Sequence, residues 1–327
     1  MRKLAVLTVL GVLLAATAAP RPATAQSYPD RLVRIIVGFT PGGPADGVAR
    51  SIAERLNKKW GQPVVVENMP GASGVLGASA TIRSAPDGYT LLLTDSSSFV
   101  ILPHLRAKLP FDPRTDFAPI TIVARQAAVL AARKGFPPNS IPELVDYAKA
   151  NSDKVTFGSF GIGTWSHVKM EELAKDAKIN MLHVPYRGAA QVVTDMLGDR
   201  IDLFLGAIGL FEGQEASGTI KILASATDKR LVFRPELPTI AEAGLPGYSV
   251  SVWFGLVGPA GMPAAIAEKI QRDVVAVLAD PEYQEKYLGP QRLQGGGETP
   301  AQFKSIIATE FDSWGQVIKN VGVTLAE

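Results

Sequence analysis

The feature that most constrains this chain is a regular alternation of short apolar strands with amphipathic helices. Apolar residues recur at four-residue spacing in the helical segments, whereas β-branched residues fill short continuous runs between them. The β-α-β-α-β order of the first unit implies a parallel sheet with helices on both faces. Its predicted strands cover residues 32–39, 63–67 and 90–94, and its predicted helices cover 45–60 and 72–83.

The middle of the chain repeats this pattern, which indicates a second α/β unit. Amphipathic helical patterns at 264–278 and 300–321 follow this unit. Their apolar faces must pack on a sheet, but the segment around them has too few predicted strands for a complete new one. We therefore expect the tail to fold back on the first unit, giving two α/β lobes with a cleft between them. The remaining predicted strands cover 120–124, 127–133, 155–160, 181–184, 201–205, 220–226 and 250–257, and the remaining predicted helices cover 142–150, a segment from about 165, and 189–197.

The N-terminus has the features of a secretory signal. Arg2 and Lys3 precede an apolar stretch at 4–16, and an A-x-A-like site ends at Ala25. A membrane anchor would need about 20 apolar residues, and this stretch is shorter. We expect residues 1–25 to be a signal peptide cleaved after Ala25, which leaves an exported chain of formal charge −1.

Composition excludes several classes of function. The 327 residues contain no Cys and three His, so thiolate sites, disulfide scaffolds and multi-histidine metal centres are disfavoured. A formal charge of +2 without any Lys/Arg run gives no indication of a nucleic-acid partner. We predict no metal and no cofactor.

Three Gly/Pro-rich turns that follow strands and open helices are the candidate binding elements. They span residues 39–46, 161–167 and 185–189. Free N–H groups at a helix start attract anions, and glycine allows a ligand close to the backbone, so a carboxylate held between the lobes would suit them. Taken singly, each turn can also be explained by glycines that only make the chain turn tightly.

Enzymatic motifs are weak in this sequence. The segment from Gly161 to Ser166 lacks the third glycine and the distant acid of a dinucleotide site. The adjacent residues Ser166 and His167 do not face each other on a helix, and Ser166 is also a natural helix cap. His167 either contacts a ligand carboxylate or satisfies a backbone carbonyl, and Asp46 is either an early-turn acid or a cleft residue.

Short segments distributed in order along the mature chain carry a family resemblance. Among them are Pro41-Gly42-Gly43-x-x-Asp46, Val64-Val65-Val66-Glu67-Asn68, Ala85-Pro86-Asp87-Gly88-Tyr89, Gly161-x-Gly163-Thr164-x-Ser166-His167, His183-Val184-Pro185-Tyr186, Leu237-Pro238-Thr239-Ile240 and Trp253-Phe254-Gly255-Leu256. These segments resemble the Bug family, the extracytoplasmic solute receptors of tripartite tricarboxylate transporters.

The resemblance implies a two-lobed α/β fold of the periplasmic-binding-protein type II kind, with an interlobe ligand cleft. It implies a periplasmic, non-enzymatic and monomeric receptor that delivers a small organic carboxylate to a membrane permease. Lobe 1 would comprise residues 26–124 and 249–327, and the inserted lobe 2 residues 125–248. The ligand-binding residues carried over are Phe39, Pro41, Gly42, Gly43, Asp46, Ser96, Ser97, Phe160, Gly161, Gly163, Thr164, Trp165, Ser166, His167, Tyr186, Gly206 and Ala207.

Departures from the family pattern bear on the ligand. Gly206 and Ala207 stand where many members have Asp-Asn, which makes an amino-acid ligand less expected. Phe160, Ile162 and Trp165 offer apolar and aromatic surface, so we expect a carboxylate with an apolar or aromatic body. The alternative is that Ile162 and Trp165 simply pack between helix and sheet.

Two other functions stay open on the sequence alone. One is an exported hydrolase that uses Ser166 or Ser97 with His167. The other is a ligand sensor that signals to a membrane partner.

Overall fold

The computed structural model describes residues 28–106 and 108–324, and the signal peptide expected at 1–25 lies outside them. The strands are β1 (Val33–Val37), β2 (Val64–Asn68), β3 (Thr90–Asp95), β4 (Phe117–Gln126), β5 (Ala128–Arg133), β6 (Thr156–Ser159), β7 (Leu182–Pro185), β8 (Leu203–Ala207), β9 (Ile220–Ser225), β10 (Val252–Pro259) and β11 (Leu293–Gly295). The helices are α1 (Pro44–Trp60), α2 (Val75–Ile82), α3 (Leu102–Leu105), α4 (Ile141–Ala150), α5 (Trp165–Ala177), α6 (Ala189–Leu197), α7 (Glu212–Ala216), α8 (Ala264–Leu278), α9 (Pro281–Tyr283) and α10 (Pro300–Val321).

The strands form two separate sheets, which confirms the expected mixed α/β fold. The first sheet has the order β11-β4-β10-β3-β1-β2, and the second has the order β7-β6-β8-β5-β9. Apolar residues on β1 and on the inner face of α1 are almost completely buried, so α1 covers one face of the first sheet. Among the described residues, no helix is both long enough and apolar enough to cross a bilayer.

The chain passes between the sheets twice. Ala127 alone separates β4, in the first sheet, from β5, in the second. The chain returns through the segment between β9 and β10. We retain the lobe boundaries at 124/125 and 248/249 as a proposal; the first falls inside β4 and the second falls in this returning segment.

The expectation of a parallel first sheet is only partly right. β1 pairs in parallel with β2 and β3, but β10 pairs antiparallel with both β3 and β4. The reason is the insertion: the chain that returns from the second sheet enters the first sheet between two existing strands and runs opposite to them. An apolar run indicates a strand but not its direction.

The helix predicted over residues 72–83 is shorter than expected. Ala72, Ser73 and Gly74 have positive φ angles and form a 3₁₀ turn before α2 begins at Val75. A Cβ on Gly38 would lie 2.7 Å from the Cα of Gly74, so two backbone segments touch here. This close approach between distant segments replaces the first helical turn.

Candidate functional site

A cavity of about 580 Å³ lies between the two sheets and is bounded by both. The first sheet and its connections contribute Phe39, Thr40, Gly43, Pro44, Ala45, Ser73, Asp95, Ser97, Ser98, Leu102, Leu105, Gln126, Val252 and Phe254. The second sheet and its connections contribute Phe160, Ile162, Gly163, Thr164, Trp165, Arg187, Ala189, Ala207 and Leu210. The volume is within the range of sites for small organic ligands.

Apart from the four-residue α3, three helices begin at this cavity without a side-chain cap. The N-cap residues of α1, α5 and α6 are Gly43, Thr164 and Gly188, and none of them accepts a hydrogen bond from its helix through a side chain. The first N–H groups of a helix have no intrahelical partner and carry the positive end of the helix dipole. Three such positive ends, one from the first sheet and two from the second, therefore meet at one cavity.

Aromatic and aliphatic side chains make up much of the cavity wall. Phe160 contacts Trp165 edge-on, with ring centroids 5.1 Å apart. Trp165 is only 5% exposed, whereas Ile162 is 51% exposed at the cavity. The sequence left open whether these side chains line the pocket or pack between helix and sheet. Trp165 does both, because it packs into the core of its lobe and also lines the cavity.

The glycine loop before α5 is held by hydrogen bonds to His167 and Ser159. The N–H of Gly163 donates to Nδ1 of His167 at 3.1 Å, and the N–H of Gly161 donates to Oγ of Ser159 at 3.2 Å. That Oγ atom is hydrogen-bonded to Nε2 of His183 at 2.7 Å. These two loop N–H groups are thus engaged within the protein, which leaves the helix start itself to face the cavity.

The two histidine rings stack, with centroids 3.8 Å apart and planes 16° from parallel. Glu171 lies beside them, with its Oε1 3.6 Å from Nε2 of His167. Although ligating atoms of the three residues lie within 4.8 Å of one another, lone pairs in nearly parallel ring planes do not converge on one ion. Burial, together with the neighbouring His167, lowers the pKa of His183 to about 4.

Asp46 stabilises the turn before α1. Its carboxylate is 4% exposed and accepts hydrogen bonds from the Gly42 N–H, from Arg50 and from Asn68, at 2.9 Å each. Burial alone would raise the pKa of Asp46, but these hydrogen bonds outweigh it and lower the pKa to about 2. The turn before α1 is therefore stabilised by the buried carboxylate of Asp46, which remains ionised.

The structure places the predicted site residues in two groups. Eight of them line the cavity, and the other nine lie outside its lining. The lining group is Phe39, Gly43, Ser97, Phe160, Gly163, Thr164, Trp165 and Ala207. The other group is Pro41, Gly42, Asp46, Ser96, Gly161, Ser166, His167, Tyr186 and Gly206.

Several residues of the second group have structural partners of their own. Ser166 is fully buried and its Oγ donates to the Leu205 carbonyl at 2.7 Å. The Tyr186 hydroxyl donates to Asp195 at 2.7 Å, and burial and that carboxylate raise the pKa of Tyr186 to about 12. Ser96 is 1% exposed, and its Oγ has no hydrogen-bond partner in the described part of the chain.

Sequence reasoning missed several lining residues, of which Asp95, Ser98 and Arg187 are polar enough to bind a ligand. Asp95 ends β3, one residue beyond the predicted strand, and Ser98 lies in a π-helical segment, Ser97–Ile101, for which no helix was predicted. Arg187 lies inside the third Gly/Pro turn. All three lie at or just after the carboxyl ends of strands, and that position could have identified them.

A second cavity of about 590 Å³ lies beside the two chain crossings. It shares Gln126 and Val252 with the first cavity, and its wall is mostly the exposed loop at 227–232 and the crossing segments. Helix starts do not contribute to its lining, so we take the first cavity as the candidate site.

Comparison with known proteins agrees with this architecture. Residues 48–323 match the family described as the tripartite tricarboxylate transporter family receptor. The protein BugT of Bordetella pertussis is 33% identical over 322 residues, which cover 98% of each chain.

Solved structures show the same fold. R. palustris Rpa4515, solved with adipate, has a TM-score of 0.80 and 31% identity, over 91% of this chain and 99% of that one. MatC from Rhodopseudomonas palustris, solved with bound malate, has a TM-score of 0.75 and 30% identity, over 89% of this chain and all of the other. The chain therefore belongs to the Bug family of tripartite tricarboxylate transporter receptors, which are periplasmic solute-binding proteins and not enzymes.

Proposed function

We propose that this receptor binds a small organic carboxylate with an apolar or aromatic body in the cavity between the two sheets. The proposal includes delivery of the ligand to the permease of a tripartite tricarboxylate transporter by a monomer. It also includes export by a signal peptide cleaved after Ala25. The observation that carries it is the convergence of the uncapped starts of α1, α5 and α6 on one cavity.

The physical argument concerns unpaired donors and apolar walls. The N–H groups at the starts of α1 and α5 supply hydrogen-bond donors and positive potential on opposite sides of the cavity. Phe39, Phe160 and Trp165 supply apolar surface next to them. An anionic head with an apolar body satisfies both kinds of surface, and binding it would favour a closed arrangement of the lobes.

Relatives with a similar fold support the carboxylate class. Rpa4515 was solved with adipate and MatC with malate, and both are dicarboxylates. We extend only the carboxylate group to this chain, because the walls around Phe160 and Trp165 determine which body fits.

The hydrolase alternative has no support in the site. Ser166 is buried against the Leu205 carbonyl, and Nδ1 of His167 accepts a hydrogen bond from the backbone of Gly163. A catalytic pair needs a serine hydroxyl within hydrogen-bond reach of a histidine nitrogen. Ser159 and His183 form such a bond at 2.7 Å, but Ser159 is fully buried, also holds the Gly161 N–H and does not line the cavity.

A thermal-unfolding screen of the chain from Gln26 tests the proposal. Aliphatic dicarboxylates, aromatic carboxylates and acidic amino acids would each be added in turn. A ligand at a hundred times its dissociation constant stabilises the folded state by about 2.7 kcal/mol, which shifts the midpoint visibly. We expect aromatic or long aliphatic carboxylates to shift it; the absence of a shift with every carboxylate would contradict the proposal.

A further inference from the structure

Asp95 places an incompletely hydrogen-bonded carboxyl group in the wall of the cavity. It is the last residue of β3 and is half-buried, with Phe254 of β10 as its neighbour across the sheet. Its Oδ1 accepts a hydrogen bond from the N–H of Ser98 at 2.9 Å. Its Oδ2 has no hydrogen-bond partner among the described residues, where Asp95 also forms no ion pair.

The charges around Asp95 are sparse. Of the described residues that line the cavity, only Asp95 and Arg187 are charged, and Arg187 is exposed on the opposite side, at the start of α6. Burial raises the pKa of Asp95, although hydrogen bonds from Ser98 oppose this shift. A bound ligand would cover this carboxyl group further.

The Oδ2 atom of Asp95 determines which ligand group can lie next to it. A carboxylate oxygen only accepts hydrogen bonds, and burying it without a donor weakens binding. A hydroxyl or ammonium group on the ligand can donate to Oδ2, whereas a methylene group at that place cannot. A second ligand carboxylate at that place would be repelled by an ionised Asp95.

We propose that Asp95 selects carboxylates that also carry a hydrogen-bond donor, a hydroxyl or an ammonium group, over the same carboxylates without one. This inference rests on the proposed function and narrows its ligand class to hydroxy acids and amino acids. Asp95 supplies from the first sheet the acceptor that Gly206 and Ala207 do not offer from the second. The apolar walls near Phe160 still receive the body of the ligand.

Two matched series of compounds test this. The first is phenylacetate, mandelate and phenylglycine, and the second is succinate, malate and aspartate; within each series one methylene bears nothing, a hydroxyl or an amine. Affinities are measured by calorimetry on the chain from Gln26 and on two variants. In the series that binds, we expect a donor-bearing member to bind about tenfold more tightly than the unsubstituted one.

The variants separate Asp95 from other causes of that preference. Asp95→Asn keeps an oxygen for the Ser98 N–H but turns Oδ2 into a donor, so preference for the amine should be lost and the unsubstituted member should bind as well or better. Asp95→Ala removes both atoms, and preference for the hydroxyl should then fall to within about threefold. Asp312→Asn, an equal change of charge on the exposed face of α10, should leave the ratios unchanged.

The outcomes distinguish this inference from the proposed function. The role of Asp95 would be overturned if unsubstituted members bound as tightly as donor-bearing ones, or if the affinity ratios were unchanged in both Asp95 variants. Either result would leave the proposed function intact. If no compound of either series bound the unmodified chain, both the carboxylate proposal and this inference would fail.

Discussion

Three helices that begin at the cavity, α1, α5 and α6, differ from α4 and α10, which begin elsewhere, in how their first turn is satisfied. At α4, Oγ of Ser140 accepts a hydrogen bond from the N–H of Glu143 at 3.4 Å. At α10, Thr299 and Gln302 form a reciprocal capping box. At α1, α5 and α6, whose first residues line the cavity, the N-cap side chain makes no such bond.

A side-chain cap stabilises a helix by about 1 kcal/mol relative to alanine and by about a few tenths relative to glycine, so its absence at three neighbouring helices is a small cost in stability. That cost keeps N–H donors free where a ligand can reach them. A missing cap is not diagnostic alone, since α2, α7 and α8 also begin without one, and their first residues do not line the cavity. The convergence of three uncapped starts on one cavity is the feature that indicates binding.

The largest effect is expected when a cap is added at the cavity. Gly43 has an ordinary φ of −80°, and a Cβ there would lie no closer than 3.6 Å to its neighbours. In Gly43→Asp, the new carboxylate should cap α1 and occupy the donors that the ligand needs. We expect carboxylate affinity, measured by calorimetry, to fall about 100-fold while the free energy of unfolding is unchanged or rises by about a few tenths of a kcal/mol.

Gly47→Asp is the matched control for that change. Gly47 lies one turn further along α1, is exposed and has open space around it. It adds the same charge without reaching the helix start, so affinity should change by no more than a few-fold. An equal loss in both variants would mean that charge, rather than the occupied donors, weakens binding.

The stacked histidines His167 and His183 predict a pH dependence of stability. The pKa of His183 is about 4 in the folded protein, against an ordinary value of 6.5, because of burial and the nearby His167. Between these values the unfolded chain binds more protons, so stability is lost as pH falls from about 6.5 to about 4. We expect a loss of about 1–2 kcal/mol, less than the full shift implies because His183 is only half-buried.

Denaturant unfolding at several pH values checks this, with His183→Gln as the comparison. His104, whose pKa is also lowered mainly by burial, contributes in the same direction and remains in that variant. The variant should therefore flatten part of the pH dependence. An unchanged slope would show that His183 does not titrate as its surroundings imply.

Removing a cap away from the cavity should affect stability alone. Thr299→Ala breaks the capping box of α10 and should lower the free energy of unfolding by about 1 kcal/mol, as measured in urea. Ligand affinity should stay within twofold of the unmodified chain. A clear change in affinity would contradict the division between capped and uncapped helices.

The smallest effect is expected at the rim of the cavity. Arg187 is exposed beside the start of α6, where solvent screens its charge. Arg187→Gln should reduce carboxylate affinity about two- to threefold, chiefly through slower association, and stopped-flow kinetics would measure it. The difference from the unmodified chain should disappear in 1 M salt; a tenfold effect that persists there would make Arg187 a principal ligand contact instead.

Amphipathic periodicity predicted much of the fold because it reflects burial along a single element. The predicted bounds of α6, α8 and α10 agree with the observed helices. The first turn of the helix expected at 72–83 was wrong because contact between Gly38 and Gly74 connects distant segments. The direction of β10 depends on the inserted second sheet in the same way.

The sequence was enough to locate the candidate site but not to identify which side chains line it. Glycine-rich turns after strands correctly indicated the segments around Gly43 and Gly163. Which side chains face the cavity depends on tertiary contacts, such as the Leu205 carbonyl that holds Ser166 inward. Asp95 was missed because a strand pattern at 90–94 does not reveal where the next side chain points.

The most direct test of the central claim compares a carboxylate with its own primary amide. The carboxylate that most stabilises the chain from Gln26 would be titrated by calorimetry alongside the amide, which has nearly the same shape and no charge. If helix starts bind an anionic head, the amide should bind at least 100-fold more weakly. Equal affinity for the two compounds would contradict the account, because the N–H donors at the starts of α1 and α5 would then not select a charged carboxylate.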